Sequence, residues 1–180
     1  VPLIVCATSG TTVLGAFDDV AAIAEVCRKY NLWLHVDASW GGAAAFLPHD
    51  APERSVLAGL ENAHSITINP HKLLGVTHQC SFLLVHDKSV LIPPSHSDGG
   101  YLFHVPAEDA LDMATKTLGC GRRGDALKFY LVWLRYGTQG LGDHIAHGLR
   151  MAQAVWQGLQ RIPSLELGPH ADPLFLQICV

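Results

Sequence analysis

The stretch Ser65-Ile66-Thr67-Ile68-Asn69-Pro70-His71-Lys72 contains the signals that decide the fold of this 180-residue chain. Its first half is rich in β-branched residues, which favour a strand. A polar tetrapeptide that ends in Lys72 follows directly. The stretch therefore predicts a strand at 64–68 with a lysine close to its carboxyl end.

A second strand is predicted upstream in Trp33-Leu34-His35-Val36-Asp37, and it ends in a carboxylate. An earlier apolar run at 2–7 has the composition of a strand that is buried on both faces. Between these strands lies a helical pattern that begins at Asp18 or Asp19 and ends near Asn31. A strand, a helix and a strand in this order form a βαβ unit with parallel strands, so the sequence predicts an α/β fold.

Downstream, the alternation of strands and helices gives way to a pair of helices, which predicts a domain boundary near 125–140. We divide the chain into a first unit at 1–130 and a second unit at 131–180. The other predicted elements are a short helix at 51–62, a strand at 81–86, a long loop at 93–109, a helix from Asp125 that breaks at Gly137 and Gly140, a helix at about 141–161 and a strand at 174–179.

Apolar residues at helical spacing predict which side chains of this helix pair face the core. In the first helix they form one stripe, and in the second they form the inward face. Phe129, Leu131, Trp133 and Trp156 are expected to be core residues. The stripe comprises Leu127, Tyr130, Leu131 and Leu134, and the inward face comprises Ile145, Leu149, Ala152, Val155, Trp156 and Leu159.

Composition excludes several classes of protein. The chain is 49% hydrophobic and 16% charged, which is typical of a globular protein. Its net charge is −4 without blocks of either sign, which argues against an electrostatic nucleic-acid partner. No apolar run reaches the 18 or so residues that a membrane span requires. Both ends lie inside buried-strand patterns, so we expect the chain to be a segment of a larger protein.

The five cysteines and eleven histidines are dispersed, and they show neither a Cys-x-x-Cys motif nor a His-Glu-x-x-His motif. An odd number of scattered cysteines predicts free thiols in a reducing compartment, and therefore a cytoplasmic protein. No structural zinc site is expected.

Three polar loops follow predicted strands: Thr8–Thr12, Asp37–Gly42 and Asn69–Lys72. Ligands of open α/β sheets gather at the carboxyl ends of the strands, so these loops predict a binding site. A lysine there can form a Schiff base with pyridoxal phosphate, and an aspartate can keep the pyridine nitrogen protonated.

Other interpretations of these residues remain open. Asp37 on its own is often a turn former, and Lys72 on its own is often a solvated surface lysine. His35 and Asp37 point to one face of their strand and could bind a metal, although no third ligand is evident. The stretch 119–124 matches G-x-G-x-x-G, but no clear strand precedes it, as a dinucleotide site would require.

Five motifs in order resemble the group II pyridoxal-phosphate-dependent decarboxylases, the family of glutamate, cysteine sulfinate and aromatic amino acid decarboxylases. The resemblance covers essentially the whole chain. The motifs are Ala7-Thr8-Ser9-Gly10-Thr11-Thr12, His35-Val36-Asp37-Ala38-Ser39-Trp40-Gly41-Gly42, Asn69-Pro70-His71-Lys72, Gly100-Tyr101-Leu102-Phe103 and Cys120-Gly121-Arg122-Arg123.

The resemblance implies the fold type I architecture, in which the large domain is aspartate-aminotransferase-like. Residues 1–130 would be the second half of that domain, and 131–180 the beginning of the small C-terminal domain. It also implies a homodimer in which the loop with Tyr101 closes over the partner's active site. The implied reaction is decarboxylation of an acidic amino acid, and glutamate, cysteine sulfinate and aspartate all remain open as substrates.

The resemblance also implies a role for each matching residue. Lys72 carries pyridoxal phosphate, Asp37 pairs with its ring nitrogen, and Tyr101 supplies a proton to the α-carbon of the substrate. Ser39 stands where the family commonly has an alanine that packs on the ring. The remaining contacts would come from Thr12 near the cofactor, Asn69 and His71 at its phosphate end, and Arg122 at the substrate carboxylate.

Three rival functions remain. One is another pyridoxal phosphate reaction, such as that of an aminotransferase or an aromatic amino acid decarboxylase. A second is an aldehyde-forming decarboxylase, although family members on that route resemble this chain with phenylalanine in place of Tyr101. The third is a catalytically silent homologue, against which the retained Asp37, Lys72 and Tyr101 argue.

Overall fold

The computed structural model of this chain describes residues 1–91, 123–168, 173 and 175–180. In these residues none of the helices is both long enough and apolar enough to cross a membrane. The strands are β1 (Ile4–Thr8), β2 (Trp33–Asp37), β3 (Ser65–Ile68) and β4 (Phe82–Val85), and the helices are α1 (Val20–Tyr30), α2 (Pro70–Leu73) and α3 (Asp125–Leu159). Short 3₁₀ segments lie at Gly41–Phe46, Pro52–Leu57, Leu60–Asn62 and Lys88–Leu91.

The four strands form one sheet in the order β1-β2-β3-β4. The first three are parallel, and β4 runs antiparallel to β3. The predicted βαβ unit is therefore confirmed. Asp37 pairs with Thr8 on one side and with Thr67 on the other, so the carboxyl ends of these three strands are level. The connection from β3 to β4 contains only the one-turn helix α2, whereas a parallel crossover usually contains a longer helix.

Helix α1 begins and ends at the predicted residues. The side chain of Asp19 accepts a hydrogen bond from Ala22 N at 3.0 Å, and Asn31 closes the helix in the left-handed conformation. The buried face of α1 includes Cys27 and packs on Leu34 and other apolar residues of the sheet. This packing covers one face of the parallel strands and forms the first core.

The second core lies where the Gly41–Phe46 segment meets α3. Ala44 is buried there together with Leu141 and Ile145. The predicted helix at 51–62 was wrong in form. Two separate 3₁₀ segments occupy this stretch, because Gly59 between them has a φ of 89°, which interrupts a right-handed helix. The guanidinium of Arg54 donates to the carbonyls of Ala45 and Leu47 and holds the first of them against the preceding segment.

Helix α3 contains the predicted break at Gly137, which has φ 67° and ψ 177° inside an otherwise helical stretch. Residues with a side chain rarely adopt this φ, whereas glycine does so at no steric cost. Gly140 does not break the helix. Beyond the kink, Ile145, Ala152 and Trp156 are buried as predicted, whereas Val155 is 47% exposed.

The apolar stripe in the first half of α3 is exposed, so the expectation that Leu131 and Trp133 belong to the core was wrong. Leu127, Tyr130, Leu131 and Leu134 are between 54% and 68% exposed, and Trp133 is 42% exposed. Helical spacing shows which side chains share a face, but it does not show which element covers that face. The strand expected at 174–179 is not formed by the described residues 175–180, where a single backbone bond links Gly168 N to Cys179 O. The loop at 93–109 lies outside the described residues.

Candidate active site

Three loops meet at the carboxyl edge of the parallel strands. Asp37 ends β2, and Lys72 lies in the one-turn helix α2 just beyond β3. The backbone ties the loops together, since Ser9 N donates to Asp37 O at 2.8 Å and Ala38 N donates to Thr67 O at 2.9 Å. The structure therefore brings the aspartate and lysine motifs to one edge of the sheet.

Asp37 is held as a carboxylate. Although it is exposed in the described chain, partial loss of water by itself raises its pKa. Hydrogen bonds from the Ser39 hydroxyl and from Ser39 N, the latter at 3.0 Å, outweigh this effect together with the positive charge of Lys72 and the influence of His35. The net result is a pKa below the ordinary value.

Ser39 therefore has a role that the sequence did not reveal. Where the family commonly has a methyl group, this chain has a hydroxyl, and that hydroxyl donates to Asp37. The Asp37 carboxylate is oriented by its own loop, because both the hydroxyl and the backbone N–H of Ser39 donate to it.

Lys72 is half-buried, and its amine lies over the ring of Trp40, with Nζ 5.0 Å from the ring centroid. Sequence reasoning gave Trp40 no role. The available signal was its position three residues after Asp37, in a loop that was already assigned to the site. An aromatic face at this distance attracts an ammonium group.

His35 lies on the same face of β2 as Asp37, and both of its ring nitrogens face hydroxyl groups. Nδ1 is 2.8 Å from Ser65 Oγ, and Nε2 is 3.3 Å from Thr67 Oγ1. Trp33 Nε1 also donates to Ser65 Oγ at 2.8 Å. His35 is thus fixed within a row of side-chain hydrogen bonds across β2 and β3.

The other predicted cofactor ligands lie in different surroundings. Thr12 is exposed on the turn at 12–14. Asn69 Oδ1 accepts a hydrogen bond from Ser81 Oγ at 2.8 Å, which leaves its amide group to donate elsewhere. His71 Nδ1 accepts from Cys80 N at 3.0 Å, so Nε2 is the His71 nitrogen that can contact a ligand.

Gly41 makes the contact between the Thr8–Thr12 loop and the Asp37–Gly42 loop possible. A Cβ atom at Gly41 would lie 2.4 Å from Ser9 O and 2.4 Å from the ring of Phe17. Any side chain at this position would push the loops apart. Gly41 is therefore a steric requirement of the site.

Helix α3 begins beside the lysine loop. Lys128 Nζ contacts the carbonyls of Thr77 and Gln79 and pairs with Asp125 at 2.8 Å. The chain just after the predicted arginine motif is thereby anchored to the loop that follows Lys72. Arg122 itself and Tyr101 lie outside the described residues.

The sequence pattern of the pyridoxal-dependent decarboxylase conserved domain matches residues 1–178. The chain belongs to this family. An L-aspartate decarboxylase of Metarhizium robertsii is 45% identical over 179 residues, which are 99% of this chain and 35% of the relative. Human cysteine sulfinic acid decarboxylase is 43% identical over 182 residues, which cover 99% of this chain and 36% of the relative.

Among solved structures, mouse CSAD matches with a TM-score of 0.86 and 40% sequence identity, covering 99% of this chain and 36% of that one. The expected family, its α/β fold and its pyridoxal cofactor are confirmed by these matches. The chain spans little more than a third of the length of the relatives that it matches.

The described residues fit pyridoxal phosphate. The cofactor requires an amine for its aldehyde and an anionic partner for its ring nitrogen. Lys72 and Asp37 provide both at one edge, and their charges influence each other. Within the described chain no direct ion pair joins these two groups, so neither one blocks the other.

Proposed function

We propose that the full-length protein is a pyridoxal-phosphate-dependent α-decarboxylase of an acidic amino acid. The placement of Lys72 and Asp37 at one sheet edge carries this proposal. The names of the relatives, an L-aspartate decarboxylase and a cysteine sulfinic acid decarboxylase, support an acidic substrate. Glutamate, cysteine sulfinate and aspartate are the candidates.

In this proposal Lys72 holds the cofactor covalently through Nζ, and the carboxylate of Asp37 holds a proton on the ring nitrogen. Bound pyridoxal phosphate supplies an electron-accepting ring for the electron pair that remains when carbon dioxide leaves the substrate. The half-buried Lys72 has its amine over the ring of Trp40, a contact that keeps the amine in the site.

Four further residues are proposed to help bind the cofactor. The Ser39 hydroxyl acts indirectly, because it donates to Asp37 and helps keep it ionised. Asn69 and His71 each retain a group that can donate to the phosphate, namely the Asn69 amide and His71 Nε2. Thr12 would contribute from its exposed turn.

Arg122 is the proposed ligand of the substrate carboxylate. A guanidinium grips a carboxylate with two parallel hydrogen bonds, and a lysine ammonium cannot. We expect Arg122→Lys to lower activity on acidic substrates sharply while bound pyridoxal phosphate remains. Steady-state kinetics and cofactor absorbance check this result. Arg161→Lys, at an exposed arginine beyond α3, is the matched control. Loss of bound cofactor in Arg122→Lys would instead assign the arginine to the cofactor or to the fold.

Tyr101 is the proposed proton donor, acting in the active site of the partner subunit of a homodimer. Two inactive variants, Lys72→Ala and Tyr101→Phe, should therefore regain part of their activity when they are mixed and allowed to exchange subunits. One site of each mixed dimer would combine an intact lysine with an intact tyrosine from the other chain. If subunit exchange is verified and activity stays absent, Tyr101 does not act across the interface.

Product analysis tests the whole proposal. The full-length protein with pyridoxal phosphate is incubated separately with glutamate, cysteine sulfinate and aspartate, and carbon dioxide and amine products are measured. A decarboxylase releases both in equal amounts from at least one substrate. A keto acid would indicate an aminotransferase, an aldehyde would indicate the oxidative route, and no turnover would indicate a silent homologue. Each of these three outcomes contradicts the proposal.

The proposal also includes a domain boundary and a cellular location. We place the boundary between the large domain and the beginning of the small domain near residue 130, within the first half of α3 and ahead of its kink at Gly137. A cytoplasmic location is supported by the described cysteines Cys6, Cys27, Cys80 and Cys179, all of which are free thiols.

A further inference from the structure

The indole face of Trp40 is the main contact of the Lys72 amine. Nζ lies 5.0 Å from the ring centroid, inside the range of about 6 Å in which an aromatic face attracts a cation. Asp37 also attracts this amine, yet within the described chain the two groups form no ion pair. The ammonium is therefore held by the ring and not by the carboxylate.

The edge of the same indole is left without a partner. Trp40 Nε1 is buried and has no acceptor among the described residues. In contrast, Trp33 Nε1 donates to Ser65 Oγ at 2.8 Å, and Trp133 Nε1 donates to Thr138 Oγ1 at 3.1 Å. Since a buried indole N–H normally finds an acceptor, a hydrogen bond does not set the orientation of Trp40. The ring instead presents its face to the Lys72 amine.

Hydrogen bonds hold the backbone that follows Trp40. Gly41 N donates to Ser9 O at 3.0 Å, and Gly42 N donates to Ala38 O at 2.8 Å. The close approach of Gly41 to Ser9 leaves no room for a side chain at Gly41. The same short loop thus fixes both the Asp37 carboxylate and the Trp40 ring relative to the sheet.

We propose that Trp40 is a positioning residue for Lys72, and that its indole face holds the Lys72 amine whenever that amine is not covalently engaged. This inference deepens the proposed function and rests on it for its catalytic meaning. An amine that carries a cofactor must remain in the site each time it is released. The Trp40 face would keep it there while leaving the Asp37 carboxylate accessible.

Competitive acylation of the cofactor-free, full-length protein tests the contact directly. Trace acetic anhydride reacts with free amines and not with ammonium groups, and peptide mass spectrometry gives the acylation of Lys72 relative to the exposed Lys29. Trp40→Leu removes the aromatic face and should raise this ratio roughly two- to thirty-fold, the factor that corresponds to the usual strength of a cation–π contact. Trp40→Phe, which keeps a smaller face, should give an intermediate ratio.

Trp133→Leu is the matched control, because it removes a partly exposed tryptophan outside the site. It should leave the ratio unchanged. An unchanged ratio in Trp40→Leu, or an equal rise in Trp133→Leu, would overturn the proposal.

A second measurement separates this role from direct contact with a bound cofactor. 4-Deoxypyridoxine phosphate lacks the aldehyde and does not react with Lys72. Its Kd should be the same for Trp40→Leu as for the wild type, whereas weaker binding in the variant would make Trp40 a cofactor ligand and contradict the proposal. The two failures are distinguishable. Absence of decarboxylation in the product analysis, or borohydride fixation of the cofactor on another lysine, would count against the proposed function, whereas the change in Lys72 acylation tests the contact with Trp40 by itself.

Discussion

Lys72→Ala is expected to abolish covalent attachment of pyridoxal phosphate and to reduce decarboxylation below detection. The reason is that Lys72 places an amine at the carboxyl edge of the parallel strands beside the carboxylate of Asp37. Borohydride reduction of the wild-type holoenzyme should fix a pyridoxyl group on the peptide that contains Lys72. Mass spectrometry of the digested protein and the cofactor absorbance of the variant check both parts.

Lys29→Ala is the matched control for this experiment. Lys29 is exposed on α1, with its amine over the ring of Tyr30 at 5.1 Å, so it is also a lysine that contacts an aromatic residue. The control should keep wild-type labelling and activity. A pyridoxyl group on any lysine other than Lys72 in the wild type would remove the assignment.

Asp37→Asn is expected to lower turnover by about 10²–10³-fold, which corresponds to roughly 2.7–4 kcal/mol, by analogy with the loss of one preorganised electrostatic contact in an active site. The amide is nearly isosteric and can still accept the hydrogen bond from Ser39 N, so folding should be little affected. The variant loses the charge that would keep a proton on the cofactor ring. Turnover and thermal unfolding of the full-length protein, measured side by side, separate these two effects.

Asp87→Asn provides a close structural control. Asp87 accepts a hydrogen bond from Ser89 N at 2.8 Å, which is the same Asp-x-Ser arrangement as at Asp37 and Ser39. The pKa of both aspartates lies below the ordinary value, and hydrogen bonds from the serine two residues later contribute in both cases. Asp87 follows β4, which runs antiparallel to β3, so it lies at the opposite edge of the sheet from Asp37. Equal losses of turnover in the two variants, or wild-type turnover in Asp37→Asn, would rule out the proposed role of Asp37.

The acid limb of the pH profile of turnover should depend on Ser39, because Ser39 donates hydrogen bonds to the Asp37 carboxylate. Because the folded pKa of Asp37 is lowered, its carboxylate persists as the pH falls and is lost only below the ordinary range. The lowered pKa of Asp37 comes in large part from its hydrogen bonds with Ser39, a neighbour in the same loop.

Short-range signals allowed much of the fold to be predicted. The cap at Asp19, the left-handed Asn31 and the break at Gly137 lie where the sequence placed them. Each depends on the conformational preferences of a few consecutive residues. The strand-helix-strand order predicted parallel pairing for the same reason, since a helical crossover between adjacent strands makes them parallel.

The candidate site was predictable only in part. Strand ends in an α/β sheet meet at one edge, so the sequence alone indicated that Asp37 and Lys72 would lie near each other. It did not indicate that Trp40 would lie under the lysine amine or that the Ser39 hydroxyl would bond to Asp37. Both contacts depend on side-chain directions within a loop whose path is set by the close approach of Gly41 to Ser9.

The sequence by itself therefore determined the order and type of the main elements and indicated the pair of residues to which we assign the chemistry. Tertiary structure alone decided which faces are covered, as the exposed Leu127 and Leu134 show against the buried Ile145 on the same helix. It also decided the contact between Trp40 and Lys72. Local propensity acts over a few residues, whereas burial and contacts between distant residues exist only once the chain has closed on itself.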